Sequence, residues 1–229
     1  MRYTLYLFFF LFSAAVSGQF SEDDLLGKIS PSKHPDFIKV DSKYTGNGTH
    51  YLRISVYEAF KAMHAAAQLD SVNLVILSST RTFHNQKTIW EKKWSNTKYM
   101  GWDAIAKAQD ILKYSSMPGS SRHHWGTDID LNNFENEWFD TEEGQRVYAW
   151  LQINGPRFGF YQVYTAKIGE SPRTGYEEEK WHWSYLPVAT PMLEAYNALI
   201  EPKMIRGFDG SEHSDSLRII PNFVNGIPK

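Results

Sequence analysis

Apolar residues at Leu52, Val56, Phe60, Met63 and Ala67 recur at spacings of three and four, which puts them on one helical face and predicts that this face is buried. The same spacing predicts helices over Gln86 to Trp94, over Ala104 to Leu112, and around Val147, Trp150 and Leu151 ahead of a Gly155-Pro156 stop. Another helix is expected to start at Thr190-Pro191, a capping residue followed by a first-turn proline. Asn73 to Leu77 is a short β-branched and leucine run, read as a buried strand ending in Ser78-Ser79-Thr80-Arg81. Thr127 to Leu131 and Lys180 to Tyr185 alternate with the period of two that marks half-buried strands. Helices mixed with short strands make the pattern α+β, with no long internal repeat.

The flanks read differently. Arg2, an apolar run from Leu5 to Phe12 and small residues from Ser13 to Gly18 form a secretory signal peptide over 1–18, with cleavage expected before Gln19. The apolar run falls short of the roughly 20 residues that span a bilayer, so no membrane span is expected after cleavage, the alternative reading of the segment being a retained membrane anchor. Residues 19–50 are polar and rich in turn formers, a lead-in draped on the surface, in which Asn47-Gly48-Thr49 matches a short glycosylation sequon. The main domain is expected over 51–200, and 201–229, mixing Gly, Pro and charge, as a C-terminal surface extension.

Composition narrows the function. The chain of 229 residues has a net charge of −2, becoming about −3 once Arg2 leaves with the leader, and no basic block, which excludes a nucleic-acid partner. It contains no cysteine, so disulfides, thiolate metal sites and a cysteine nucleophile are excluded. Roughly 210 mature residues suffice for one domain with its own core. Oligomeric state is left open.

Candidate chemistry is densest at Ser121-Arg122-His123-His124-Trp125-Gly126-Thr127-Asp128-Ile129-Asp130. If Gly126 turns the chain into a strand, Asp128 and Asp130 share one face and a histidine can be brought over it. A catalytic zinc takes three ligands from His, Asp or Glu and leaves one position for water, so a third ligand must come from elsewhere. His182 in Glu179-Lys180-Trp181-His182-Trp183 fits, with Glu179 as a general base that does not bind the metal. His64, beside the apolar stripe, reads as a packing or surface histidine, and His124 receives no metal role.

Three segments resemble the VanY-like D-alanyl-D-alanine carboxypeptidases, whose motifs run Ser-x-x-Arg-(x)4-Gln, Ser-x-His-x-x-Gly-x-Ala-x-Asp and Glu-x-Trp-His. Here they stand as Ser78 to Arg81 with Gln86, as Ser121 through Asp130, and as Glu179 to His182. The resemblance implies an α+β fold with a small antiparallel sheet, packed helices and an open groove. It implies Zn2+ on His123, Asp130 and His182, Glu179 as base, Arg81 polarising the scissile carbonyl, and Gln86 and Ser121 as substrate contacts. Asp128 departs from the pattern, standing where the family has alanine, and either orients a ligand histidine or faces solvent.

The reaction implied is hydrolysis of the D-amino-acid stem peptide of bacterial cell wall, outside the cytoplasm in the periplasm or cell envelope. A D,D-dipeptidase or peptidoglycan endopeptidase would use the same zinc set, and a zinc-containing peptidoglycan-binding module would need no base. Glu179 argues against the last.

Overall fold

The computed structural model describes residues 20–169 and 172–228; the expected signal peptide, 1–18, lies outside them. Helix α1 (Glu22–Leu26) precedes a two-stranded antiparallel sheet of β1 (Phe37–Lys39) and β2 (Tyr51–Arg53). Next come α2 (Ile54–Leu69), β3 (Ile76–Ser78), α3 (Phe83–Trp94), α4 (Ala104–Ile111) and β4 (Asp128–Leu131). Helix α5 (Glu142–Asn154), β5 (Phe160–Gln162), β6 (His182–Tyr185) and α6 (Leu186–Leu199) complete the regular elements. The main sheet has order β3-β4-β6-β5 and every pairing in it is antiparallel. This is the expected α+β architecture.

Alternation decides what each face of that sheet does. Ile129, Leu131 and Trp183 join Ile76 and Phe160 in a core closed by Val56, Phe60 and Met63 of α2 and by Val147 and Leu151 of α5. Asp128, Asp130, His182 and Ser184 therefore share the opposite face, in a register that pairs Asp130 with His182 and Asp128 with Ser184. Burying each large apolar side chain contributes about 1.5–3 kcal/mol. A slip of one residue would trade three of them for two carboxylates and an imidazole, so the register is strongly specified.

Local chemistry sets the helix ends. The Thr82 hydroxyl accepts from the Asn85 amide, starting α3 ahead of Gln86, and Asp103 caps α4 by accepting from the Ile105 and Ala106 amides. The start expected at Thr190-Pro191 is corrected: α6 begins at Leu186 with Pro187 in its first turn, and Pro191 sits inside it. That proline forfeits a helix hydrogen bond, but Ala189, Met192, Ala195 and Tyr196 stay packed in a third core cluster, which holds the helix together.

Both flanks contribute more than a surface coat. In the lead-in, Phe20, Leu25, Leu26 and Val40 are buried, and Asp24 and Asp36 both pair with Arg53. Beyond Glu201, expected on the surface, Ile205, Phe208, Leu217 and Ile219 instead enter a core cluster with Trp90, Tyr164 and Tyr176. Scattered apolar residues among Gly, Pro and charge gave no periodic signal there. His64 packs edge-on to Tyr44, far from ligand chemistry. No helix among the described residues is long and apolar enough to cross a membrane.

Candidate metal centre

His123 reaches the polar face of the sheet from a single 3-10 turn, Arg122–Trp125, that ends at Gly126 with φ +72°. A Cβ on Gly126 would lie 2.3 Å from Phe37 Cε1, so this turn requires glycine both for its left-handed backbone and for space. The His123 Nδ1 donates to the Ser79 carbonyl at 2.8 Å, leaving Nε2 as a lone pair. Burial, reinforced by Arg81, holds the His123 pKa below the ordinary range and disfavours a second proton. Nε2 nonetheless faces Asp130 Oδ2 at 3.3 Å and is buried without a hydrogen-bond partner.

A lone pair set against a carboxylate is repulsive unless a cation lies between them. His182 completes the surroundings of such a cation: its Nδ1 is 3.1 Å from Asp130 Oδ1, while its Nε2 donates to Asp128 Oδ2 at 2.8 Å. Ligand atoms of His123, Asp130 and His182 all lie within 4.8 Å of one another. Two imidazoles and one carboxylate suit zinc, and the donor set present fits that ion.

Electrostatics agree with an enclosed charged cluster. Burial opposes ionisation of Asp130, yet the hydrogen bond from His182 Nδ1 counters it, and the Asp130 pKa lies well below the usual carboxylate range. Burial likewise disfavours charge on His182, but hydrogen bonds to Asp128 and Asp130 prevail and push its pKa up to about 9. Asp128 is fully buried and saturated: it also accepts from Arg122 Nε at 3.1 Å and from the hydroxyls of Ser184 and Thr127 at 2.7 and 2.6 Å. Of its two readings in the sequence, the structure favours orientation of His182 over exposure.

Glu179 approaches without joining this set, its Oε2 3.7 Å from His182 Nδ1. Burial pushes its pKa up to about 7, against the pull of His182. Arg81 donates from Nη1 to Gln86 Oε1 at 3.0 Å and from Nη2 to Asp130 Oδ2 at 3.4 Å; its Nε is buried without a partner. These groups border a groove of about 530 Å³ whose walls include Ile89, Phe134 and Trp181.

The remaining expected site residues sit behind the wall. Gln86 is fully buried, holding Arg81 with its oxygen and donating to the Ser116 carbonyl at 2.8 Å. Ser121 is buried just before the turn that carries His123 and does not line the groove. His124 points away: its Nδ1 donates to the Arg81 carbonyl, its Nε2 accepts from the Gly119 amide, and burial lowers its pKa to about 3. Sequence reasoning missed Tyr164, whose ring lies 4.4 Å from that of His182, and Tyr176, because both arrive from irregular segments without a periodic signal.

Fold and site together define a candidate metal centre on the polar face of a small antiparallel sheet, and comparison with known proteins places the chain in a family. Residues 49–188 match the family model described as VanY, D-alanyl-D-alanine carboxypeptidase, and the chain belongs to that family. A D-alanyl-D-alanine carboxypeptidase of Enterococcus faecalis is 29% identical over 155 residues, which cover 67% of this chain and 55% of that protein. The chain spans about half the length of the curated relatives it matches. Among solved structures, VanYB in complex with D-alanine-D-alanine is similar with a TM-score of 0.50 and 22% identity, over 70% of this chain and 88% of the other. The LdcB LD-carboxypeptidase gives a TM-score of 0.53 and 21% identity, over 72% and 75%. These two likenesses show the fold.

Proposed function

We propose that this chain is an exported zinc D,D-carboxypeptidase that releases the terminal D-Ala from cell-wall stem peptides, with residues 1–18 as its leader and 51–200 as its catalytic domain. The observation that carries this reading is the convergence of His123 Nε2, Asp130 and His182 Nδ1 beside Glu179. Family membership and the D-alanine-D-alanine bound to the related VanYB support the substrate class.

When bound by His123, Asp130 and His182, zinc would supply a Lewis acid and lower the pKa of a coordinated water to about 7. The chain's own groups do the rest. Glu179 takes a proton from the attacking water on Oε2 and returns it to the leaving amine, a task suited to a carboxylate whose pKa burial has raised. Arg81 presents guanidinium donors to the carbonyl oxygen as it gains charge, and Gln86 fixes their direction. Asp128 keeps His182 in the tautomer whose Nδ1 faces the metal position. Tyr164 against His182, and Trp181 in the groove wall, exclude competing water.

Glu179→Gln keeps the shape of the side chain but cannot take a proton. It should retain metal while losing about 100- to 10,000-fold in release of D-Ala from a pentapeptide ending in D-Ala-D-Ala. Cleavage of a cross-linked dimer in place of the pentapeptide would redirect the reading to an endopeptidase. Wild-type rates in the Glu179→Gln protein would remove Glu179 from the mechanism.

A further inference from the structure

Among the described residues, the cations that line the groove are Arg81 and Lys93. Arg81, held by Gln86 and Asp130, is already assigned to the scissile carbonyl in the reaction proposed above. Lys93 lies seven positions beyond Gln86 on α3 and has no such commitment. Its ammonium donates to the Ser115 hydroxyl at 2.5 Å, and no carboxylate among the described residues comes within ion-pair distance. An ammonium has three donors, so two remain after Ser115. Burial lowers its pKa from the ordinary lysine value, with the Glu179 charge opposing that shift and Arg81 and Lys98 adding to it. A cation drawn partly out of water with no carboxylate in direct contact is unfavourable, and a bound anion would relieve that cost.

The proposed reaction requires such an anion. In a peptide cut at its last bond, a free carboxylate lies one residue past the scissile carbonyl, about 4 Å along the chain. The cation that reads it must therefore share a groove with the reacting groups, as Lys93 does with Arg81, Asp130 and Glu179. Gln86 and Ser121, the other expected substrate contacts, are buried off the groove. Elsewhere its lining carries Glu135 and Glu137, which would repel a carboxylate and so favour one direction of peptide binding.

We infer that Lys93, braced by Ser115, binds the free C-terminal carboxylate of the peptide and makes the groove select chain ends over internal bonds. The inference rests on the carboxypeptidase reading above. Lys93 is then a substrate-binding residue that determines exopeptidase specificity.

The test measures binding separately from turnover. Zinc-loaded full chain carrying Glu179→Gln is titrated by calorimetry with an N-acylated D-Ala-D-Ala and with its C-terminal amide. The acid should bind about tenfold or more tighter than the amide, the scale of a charge-assisted hydrogen bond. Adding Lys93→Met, which keeps the apolar stem, should bring the two affinities within about threefold by weakening the acid alone, and Lys93→Arg should restore most of the difference. An unchanged acid-to-amide ratio in Lys93→Met overturns the inference, as does an equal loss for both ligands, which would mark a structural role, or no binding of either. The catalytic reading can fail separately: zinc-loaded wild type that binds with this preference but hydrolyses nothing would sink the enzyme and leave Lys93 as a carboxylate reader. Turnover with an unaltered ratio would do the reverse.

Discussion

Asp128 Oδ2 accepts a hydrogen bond from His182 Nε2 at 2.8 Å, on the side of the imidazole ring away from Asp130. One ring nitrogen is thereby tied to protein and the other is aimed at the metal position. Asp128→Asn removes the charge that favours this tautomer and leaves the buried Arg122 guanidinium without its ion pair. Zinc affinity should fall about 10- to 100-fold in competition with a chromogenic chelator. Stability should also drop, by as much as about 3–5 kcal/mol in urea unfolding, because an uncompensated buried charge remains. An unchanged zinc affinity would show that Asp128 does not act through His182.

Metal removal provides a second check. Prolonged chelation should abolish hydrolysis, and one equivalent of zinc should restore it. Zinc at 100 times its dissociation constant should stabilise the fold by about 2.7 kcal/mol, a melting shift of about 5–10 °C for a chain of this size. His182→Ala should lose both the shift and the bound metal, and full zinc occupancy in that protein, by elemental analysis, would disprove the three-ligand set.

Arg81→Lys keeps the positive charge but loses the planar fork that meets Gln86 and Asp130 together. Turnover should fall about 100- to 1,000-fold, the scale for losing an oxyanion donor. A rate within about threefold of wild type would place Arg81 outside the reaction.

His124 is held neutral by burial, with its folded pKa at about 3. Its unfolded pKa is about 6.5, so the unfolded chain binds more protons below that pH and stability must decline as pH falls from 6.5 toward 3. At pH 5 this one group removes about 2 kcal/mol. In metal-free protein, His124→Asn should flatten the slope of unfolding free energy between pH 6.5 and 5 relative to wild type; equal slopes would contradict the assignment.

What could be read from the sequence was local. The alternation of Asp128, Ile129, Asp130 and Leu131 gave both the strand and the face on which the carboxylates sit, and Gly126 marked the turn that raises His123. Contacts made across the chain were not legible. Thr190-Pro191 has the form of a helix start, but the earlier Pro187 supplies the first turn. The packing of Phe223 against Tyr176, and of Phe208 against Trp90, depends on residues far apart in sequence. Gln86 and Ser121 fit their motif spacing, which cannot say whether a side chain reaches a groove or braces its wall.

Asp130 and His182 are separated by 52 positions yet face one another across adjacent strands. The separation of this pair is therefore fixed by the strand ladder, about 5 Å, and not by the length of chain between them. Insertions at an exposed point in that interval, such as beside Gly169, where a Cβ would meet nothing, can lengthen the peptide without prying Asp130 and His182 apart. Loop length there is free to vary while the geometry of the pair stays constant.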